Sequence, residues 1–312
     1  MPINNFNNNN SNSKKALLIG INYIGTDNEL KGCINDVMNI KKFLIYKFNF
    51  NPNNILVLTD DQVYNPMCMP TRYNILNAMH WLVKEAKAGD SLFFHYSGHG
   101  SQQQDTEGDE EDGYDETILP LDFELNGEIV DDQMNAIMVR HLPFGAKLTC
   151  IFDCCHSGTA LDLPYVYSHL GKCNLKKFNI WRTIYKSLHQ MGYYHLTDIH
   201  SPEAKLIIHD SIDKLHTTME AEVRSKLTRG SLGEVIMFSG CKDDQTSADA
   251  HVLGYGSTGA MSHALITALN YNTNMTYLQL LRAIRTLLKD KYEQLPQLSC
   301  SKPMNINSTF SL

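Results

Sequence analysis

Five short runs of apolar, largely branched or aromatic residues punctuate this chain: Ala16–Ile21, Ile55–Leu58, Ser91–Tyr96, Leu148–Phe152 and Glu234–Ser239. Each has the length of a strand and is apolar at nearly every position, as strands buried on both faces of a parallel sheet are. Helix-period stretches alternate with them. Cys33–Phe48 puts Val37, Ile40, Phe43, Leu44 and Phe48 on one face, and a helix capped by Thr71 carries Ile75, Met79, Leu82, Val83 and Ala86 towards a stop at Gly89. Asp132–Leu142, Gly259–Leu269 and Thr276–Tyr292 also read as helices, and a last short strand is expected from Gln297. The alternation predicts an α/β fold: a mainly parallel central sheet with helices on both faces.

At 312 residues the chain could hold one large domain or two small ones. The stretch Tyr165–Leu232 is polar and basic in patches, with weak helical periodicity around Trp181–Met191, and the core pattern resumes after it. That favours a single domain over residues 15–312, divided into 15–164, an insertion at 165–232, and 233–312. Residues 1–14 form an Asn-rich tail that cannot bury a core and is expected to be disordered. A net charge of −7 removes any global case for nucleic-acid or anionic-membrane partners. Eight cysteines without a CxxC pair suit reduced thiols, and no apolar run has membrane-spanning or secretory character. The expected compartment is the cytoplasm, with the nucleus also open.

Two of the apolar runs end in reactive groups. SLFFHYSGHG delivers His99, and KLTCIFDCCHSG delivers Cys154 and Cys155. In a parallel α/β sheet the carboxyl ends of strands face the ligand crevice, and the Gly and Ser residues here let the backbone turn sharply and expose the side chain. A thiol nucleophile needs a base within hydrogen-bond reach to raise its thiolate fraction and later protonate the leaving amine. Acids gather too: a run from Asp105 to Asp115, the pair Asp131-Asp132, and Asp162 just beyond the cysteines. Clustered carboxylates repel unless neutralised, and hard oxygen ligands suit Ca²⁺ better than a transition metal, although the run fails the EF-hand spacing. Of thirteen histidines only His99 and His156 flank the cysteine cluster, with no ligand spacing that would suit zinc.

HYSGHG, GDEEDGYDETILPLDF, IVDDQM, DCCHSGTALDLPY, SGCKDDQTSADA and TGAMSHAL occur in this order. With them the chain resembles the type I metacaspases, caspase-like cysteine peptidases found outside animals. The resemblance runs from about Lys15 to the C-terminus and is least in the insertion. It implies a caspase-like fold, a dyad of His99 and Cys155, and oxyanion donors at the backbone N–H groups of Gly100 and Cys155. Cys155 is the nucleophile because it directly precedes His-Ser-Gly, and Cys154 is only its neighbour. Asp36 and Asp153 match an acidic substrate pocket, with Cys33 and Ser97 lining it and Asp249 near it. Paired carboxylates select a guanidinium or ammonium, so peptide substrates with Arg or Lys before the scissile bond are expected. Calcium ligands carry over onto Asp115, Asp131, Asp132 and Asp162, where a bound ion would order the loop that follows the nucleophile.

The basic insertion would offer such a peptidase its own cleavage sites, so autoprocessing between 165 and 232 is expected. The family also implies a monomer. Two rival readings remain at this level: an Asp-specific caspase-type peptidase, disfavoured by Asp36 and Asp153, and a non-catalytic caspase-fold protein in aggregate handling or interaction, disfavoured by the presence of both His99 and Cys155.

Overall fold

The computed structural model describes residues 12–104, 114–154, 158, 160–175, 231–240, 249–252, 256–292 and 295–312. The first half runs β1 (Lys14–Gly20), α1 (Cys33–Phe48), β2 (Ile55–Thr59), α2 (Arg72–Val83) and β3 (Ser91–Ser97). A small antiparallel sheet follows, made of β4 (Gly100–Gln104), β5 (Tyr114–Ile118) and, after the single turn α3 (Phe123–Asn126), β6 (Ile129–Val130). The short helix α4 (Asp131–Met134) continues as a π-turn over Asn135–Val139 and leads to β7 (Lys147–Asp153). The second half contains β8 (Tyr165–Tyr167), β9 (Cys173–Leu175), β10 (Glu234–Ser239), β11 (Asp249–Val252), β12 (Gly256–Gly259), α5 (Ala260–Tyr271), α6 (Tyr277–Tyr292) and β13 (Gln297–Cys300).

Among the described residues the main sheet has eight strands in the order β2-β1-β3-β7-β10-β13-β8-β9. All five apolar runs of the sequence are its parallel strands, adjacent and in register. The remaining three strands extend it antiparallel beyond β10. One face packs on α1, α5 and α6 through Val37, Ile40, Leu44, Leu265, Leu281 and Ile284. The other packs on α2, α4 and the π-turn through Ile75, Met79, Leu82, Met134 and Met138. Among the described residues no helix is long and apolar enough to cross a membrane.

Three elements differ from the sequence reading. Helix α2 stops at Val83 rather than Gly89, because Lys84 leaves the helical region (ψ 130°) and Glu85 is left-handed (φ 63°). Gly89 itself, at φ 91°, turns the chain into β3 with its N–H donated to the Gly145 carbonyl at 2.8 Å. The stretch between Gly98 and Asp132, read as a loop with one β-like piece, holds all three strands of the small sheet. The first eleven residues of the expected insertion include β8 and β9, so residues 165–175 belong to the main sheet. The tail residues 1–11 and residues 176–230 lie outside the described residues.

Candidate active site

Side chains alternate across β3 and β7, and this alternation divides the site. His95 and Ser97 of β3 and Asp153 of β7 point to the α1/α5 face, as their neighbours Phe93 and Ile151 do. Tyr96, Phe152 and Cys154 point to the α2/α4 face. Ser97 and Asp153 are direct partners in the β3–β7 ladder.

The α1/α5 face holds the acids. Gly20 at the end of β1 lets the start of α1 approach closely, since a Cβ there would lie 2.5 Å from the Cys33 carbonyl oxygen. Asp36, one turn into α1, is thereby brought under β3 and is fully buried. The Ser97 hydroxyl donates to Asp36 Oδ2 at 2.7 Å, and the Gly259 N–H donates to both Asp36 oxygens at 2.8 and 2.9 Å. Asp153 is buried beside it and accepts from the Ser262 N–H at 2.7 Å and the Met261 N–H at 3.4 Å. The first turn of α5 thus has no side-chain cap of its own and is capped by Asp153 from the end of β7, with the helix dipole favouring negative charge there. Only glycine fits at 259, where a Cβ would meet Asp153 Oδ2 at 2.2 Å and Asp36 Oδ2 at 2.7 Å. Both carboxylates therefore crowd the Gly259 α-carbon, with no room left for a methyl group at that point.

Behind them, His95 is fully buried, with Nε2 2.8 Å from the Ser262 hydroxyl. Its Nδ1 has no hydrogen-bond partner among the described residues. Burial pushes its pKa down to about 3, so the ring is neutral.

The α2/α4 face positions the candidate base. Tyr23 and Tyr96 are buried with their hydroxyls 3.3 Å apart. Tyr23 accepts the His99 N–H at 3.1 Å and donates to the Leu119 carbonyl at 2.6 Å, while Tyr96 donates to the His99 carbonyl at 2.7 Å. The His99 ring lies against Tyr23, with centroids 4.8 Å apart. Burial drives both phenols well up from their ordinary pKa, so they remain neutral donors. The thiols of Cys33 and Cys154 lie near enough to both phenols to add to that shift. Tyr23 itself is left-handed at φ 51°, a conformation that costs a non-glycine residue on the order of 1–3 kcal/mol. Asp60 holds it there by accepting the N–H groups on either side, Asn22 at 2.8 Å and Ile24 at 3.0 Å.

The His99 ring is oriented by a main-chain group that sequence reading missed. Nε2 is 2.8 Å from the Asn28 carbonyl oxygen, which only accepts. Nε2 therefore carries the proton and donates, which leaves Nδ1 as the basic nitrogen. A carbonyl belongs to every residue, so no letter of the sequence could have announced it. Next to His99, the bond from the Leu119 N–H to the His99 carbonyl makes Gly100 and Ile118 a non-hydrogen-bonded pair. The Gly100 N–H is thus turned away from β5, as an oxyanion donor requires.

Cys155 lies outside the described residues. Its neighbour Cys154 directly follows β7 and is buried in the α2/α4 core, an inert position for a thiol. Cys33 opens α1, buried, with its N–H on Asn22 Oδ1 at 3.0 Å. Asp249 lies in β11.

The four expected calcium ligands occupy three neighbouring segments. Asp115 on β5, Asp131 at the start of α4 and Asp162 after β7 are buried; Asp132 is partly exposed, 3.9 Å from Arg140 Nη2. Asp131 accepts the Glu116 N–H at 3.1 Å and the Asp132 N–H at 2.8 Å. Asn135 donates to the Leu161 carbonyl at 2.7 Å, tying the π-turn to the segment of Asp162, which is left-handed at φ 48°. Among the described residues no three His, Cys, Asp or Glu side chains are gathered into a metal-holding group. The donor chemistry suits a hard cation.

Residues 14–164 match the family described as "Metacaspase, peptidase C14 domain". The chain is 52% identical over 298 residues to Metacaspase-1 of Botryotinia fuckeliana, a match covering 95% of this chain and 70% of that protein. It is 50% identical over 297 residues to Metacaspase-1B of Neurospora crassa, covering 95% of this chain and 68% of the relative. Among solved structures, protein GSU0716 from Geobacter sulfurreducens superposes with a TM-score of 0.58 at 22% identity, over 96% of this chain and 97% of that one.

Proposed function

This chain belongs to the metacaspases, cysteine-type endopeptidases with a caspase-like α/β fold, and we propose that it cuts polypeptides after Arg or Lys under the control of calcium. The observation that carries the specificity is the pair of buried carboxylates, Asp36 and Asp153, both held against the start of α5. Two like charges held this close in a low-dielectric site favour a cation beside them, and a guanidinium can meet both. Ser97 supports Asp36, and Cys33 opens the helix that carries it. The same pocket would repel a substrate aspartate.

In the proposed reaction the Cys155 thiolate attacks the carbonyl carbon of the scissile bond. His99 Nδ1 takes the thiol proton and delivers it to the departing amine, leaving an acyl-enzyme that water hydrolyses. Negative charge on the carbonyl oxygen is met by the N–H groups of Gly100 and Cys155. The dyad geometry is supported by the Asn28 contact, which keeps the proton on Nε2 and the lone pair on Nδ1.

Asp115, Asp131, Asp132 and Asp162 would hold Ca²⁺ through carboxylate oxygens. The ion would supply the positive charge that draws the Asp162 segment towards β5 and α4, fixing the chain just beyond Cys155. Autoprocessing is proposed for the basic residues between 176 and 230, and the chain is proposed to act as a monomer. One experiment tests the core of this: hydrolysis of fluorogenic peptides ending in Arg, Lys or Asp by wild type and Cys155→Ala, with Ca²⁺ or with chelator. Arg and Lys peptides should be cleaved only by wild type with Ca²⁺. Cleavage of the Asp peptide at a comparable rate overturns the specificity, and full activity in chelator overturns the calcium requirement.

A further inference from the structure

His95 sits two residues before Ser97 on the same face of β3, and neither the dyad nor the acids use it directly. A buried imidazole with one nitrogen unpaired is a poor choice for filling space, because an apolar side chain would fit there without desolvating a polar atom. What the imidazole can do is hold one hydroxyl. Its Nε2 meets the Ser262 hydroxyl at 2.8 Å, and that serine is the third residue of α5. The N–H of the same serine holds Asp153 at 2.7 Å, and the N–H of Gly259, three residues earlier, holds Asp36.

The first turn of α5 is therefore gripped from two sides. Its main chain faces forward onto both carboxylates, and its one buried hydroxyl is anchored backward on β3. With no cap of its own and a glycine hairpin strand leading into it, that turn has no other side-chain tether among the hydrogen bonds of its first three residues in the described structure.

We infer that His95 is a positioning residue for substrate selection: through Ser262 it fixes the first turn of α5, and with it the spacing of Asp36 and Asp153. The inference rests on the reading that those two acids receive the substrate's basic side chain. It makes a demand that reading alone does not. A planar guanidinium engages two carboxylates only at one separation, whereas an ammonium is a point charge that tolerates a looser pair. Loosening the spacing should therefore cost Arg substrates more than Lys substrates and should act on binding rather than on the chemical step.

The test compares His95→Leu, His95→Gln, Ser262→Ala and the double variant His95→Leu/Ser262→Ala on matched Arg- and Lys-ending peptides. Breaking the link from either end should raise KM for the Arg peptide about tenfold with kcat nearly unchanged, and should lower the Arg-to-Lys ratio of kcat/KM. Gln, whose amide can place either a donor or an acceptor where Nε2 stands, should restore the ratio. The double variant should be no worse than either single one, because both remove the same contact. If His95→Leu does not fold, Ser262→Ala alone carries the test. Equal losses for Arg and Lys, a fall in kcat at constant KM, or additive effects would each overturn the inference. Failure of the underlying reading would show separately, as a wild-type enzyme with no preference for Arg or Lys over Asp.

Discussion

On the α1/α5 face of β3 and β7 the site is built from charge: two buried carboxylates held by main-chain N–H groups and one hydroxyl. On the opposite face, a few ångströms away through the same strands, it is built from neutral phenols that pin the backbone around His99. The charged face is costly to assemble, because two like charges are buried together. The phenolic face is already satisfied and needs nothing from a ligand, so it can hold the base still through every turnover. Variants on the first face should be felt as lost binding, and variants on the second as lost chemistry.

The largest effect should come from Asp153→Ala, which removes one of the two carboxylates of the proposed cation site and leaves the Met261 and Ser262 N–H groups without their acceptor. The kcat/KM for an Arg-ending peptide should fall by about two to three orders of magnitude, and unfolding should become easier by about 1–3 kcal/mol. Steady-state kinetics and denaturant titration measure the two; an unchanged KM would collapse the distinction between the faces. A smaller effect is expected from Tyr23→Phe, which deletes the acceptor for the His99 N–H while keeping the ring against the imidazole. There kcat should fall about tenfold, the equivalent of one net hydrogen bond, with KM unaltered. A rise in KM for this variant would show that the phenols serve binding as well.

The smallest effect sharpens the buried side of the charged face. His95 has its pKa pushed from the usual 6.5 to about 3 by burial, so the unfolded chain takes up a proton that the folded one refuses. Its contribution to stability is complete above pH 6.5 and is lost as pH falls through the window down to about 3, at up to about 1.4 kcal/mol per pH unit. Urea unfolding between pH 7 and 4 should show a shallower acid decline in His95→Leu than in wild type. Parallel curves would mean that the histidine is not neutral in the fold.

Much of this arrangement was readable in advance, because the parallel strands are uniformly apolar and end in reactive letters. Asp36, Ser97 and Asp153, distant in the chain, meet around the start of α5, and Gly20 and Gly259 are the close approaches that allow it. The parts that were not readable share a cause. β8 and β9 are three-residue strands made by pairing on an existing edge rather than by any periodicity of their own. The polar run Gly100–Gln104 forms a strand because β5 lies alongside it. His95 read as one more letter in an apolar strand, since only the packed sheet reveals that it meets Ser262. Cys154, a puzzling second thiol in the sequence, is simply the inward-facing residue of an alternating strand end.

The contact between His99 and the Asn28 carbonyl has a consequence for how this site can vary. Because the peptide group does the work, almost any residue could stand at position 28 without disturbing the base. Removing or adding one residue between Tyr23 and Leu30 would instead carry the carbonyl out of reach. Evolution can rewrite the letters of this loop freely but is bound to its length, so the constraint would be invisible in a column of aligned residues and plain in a count of gaps.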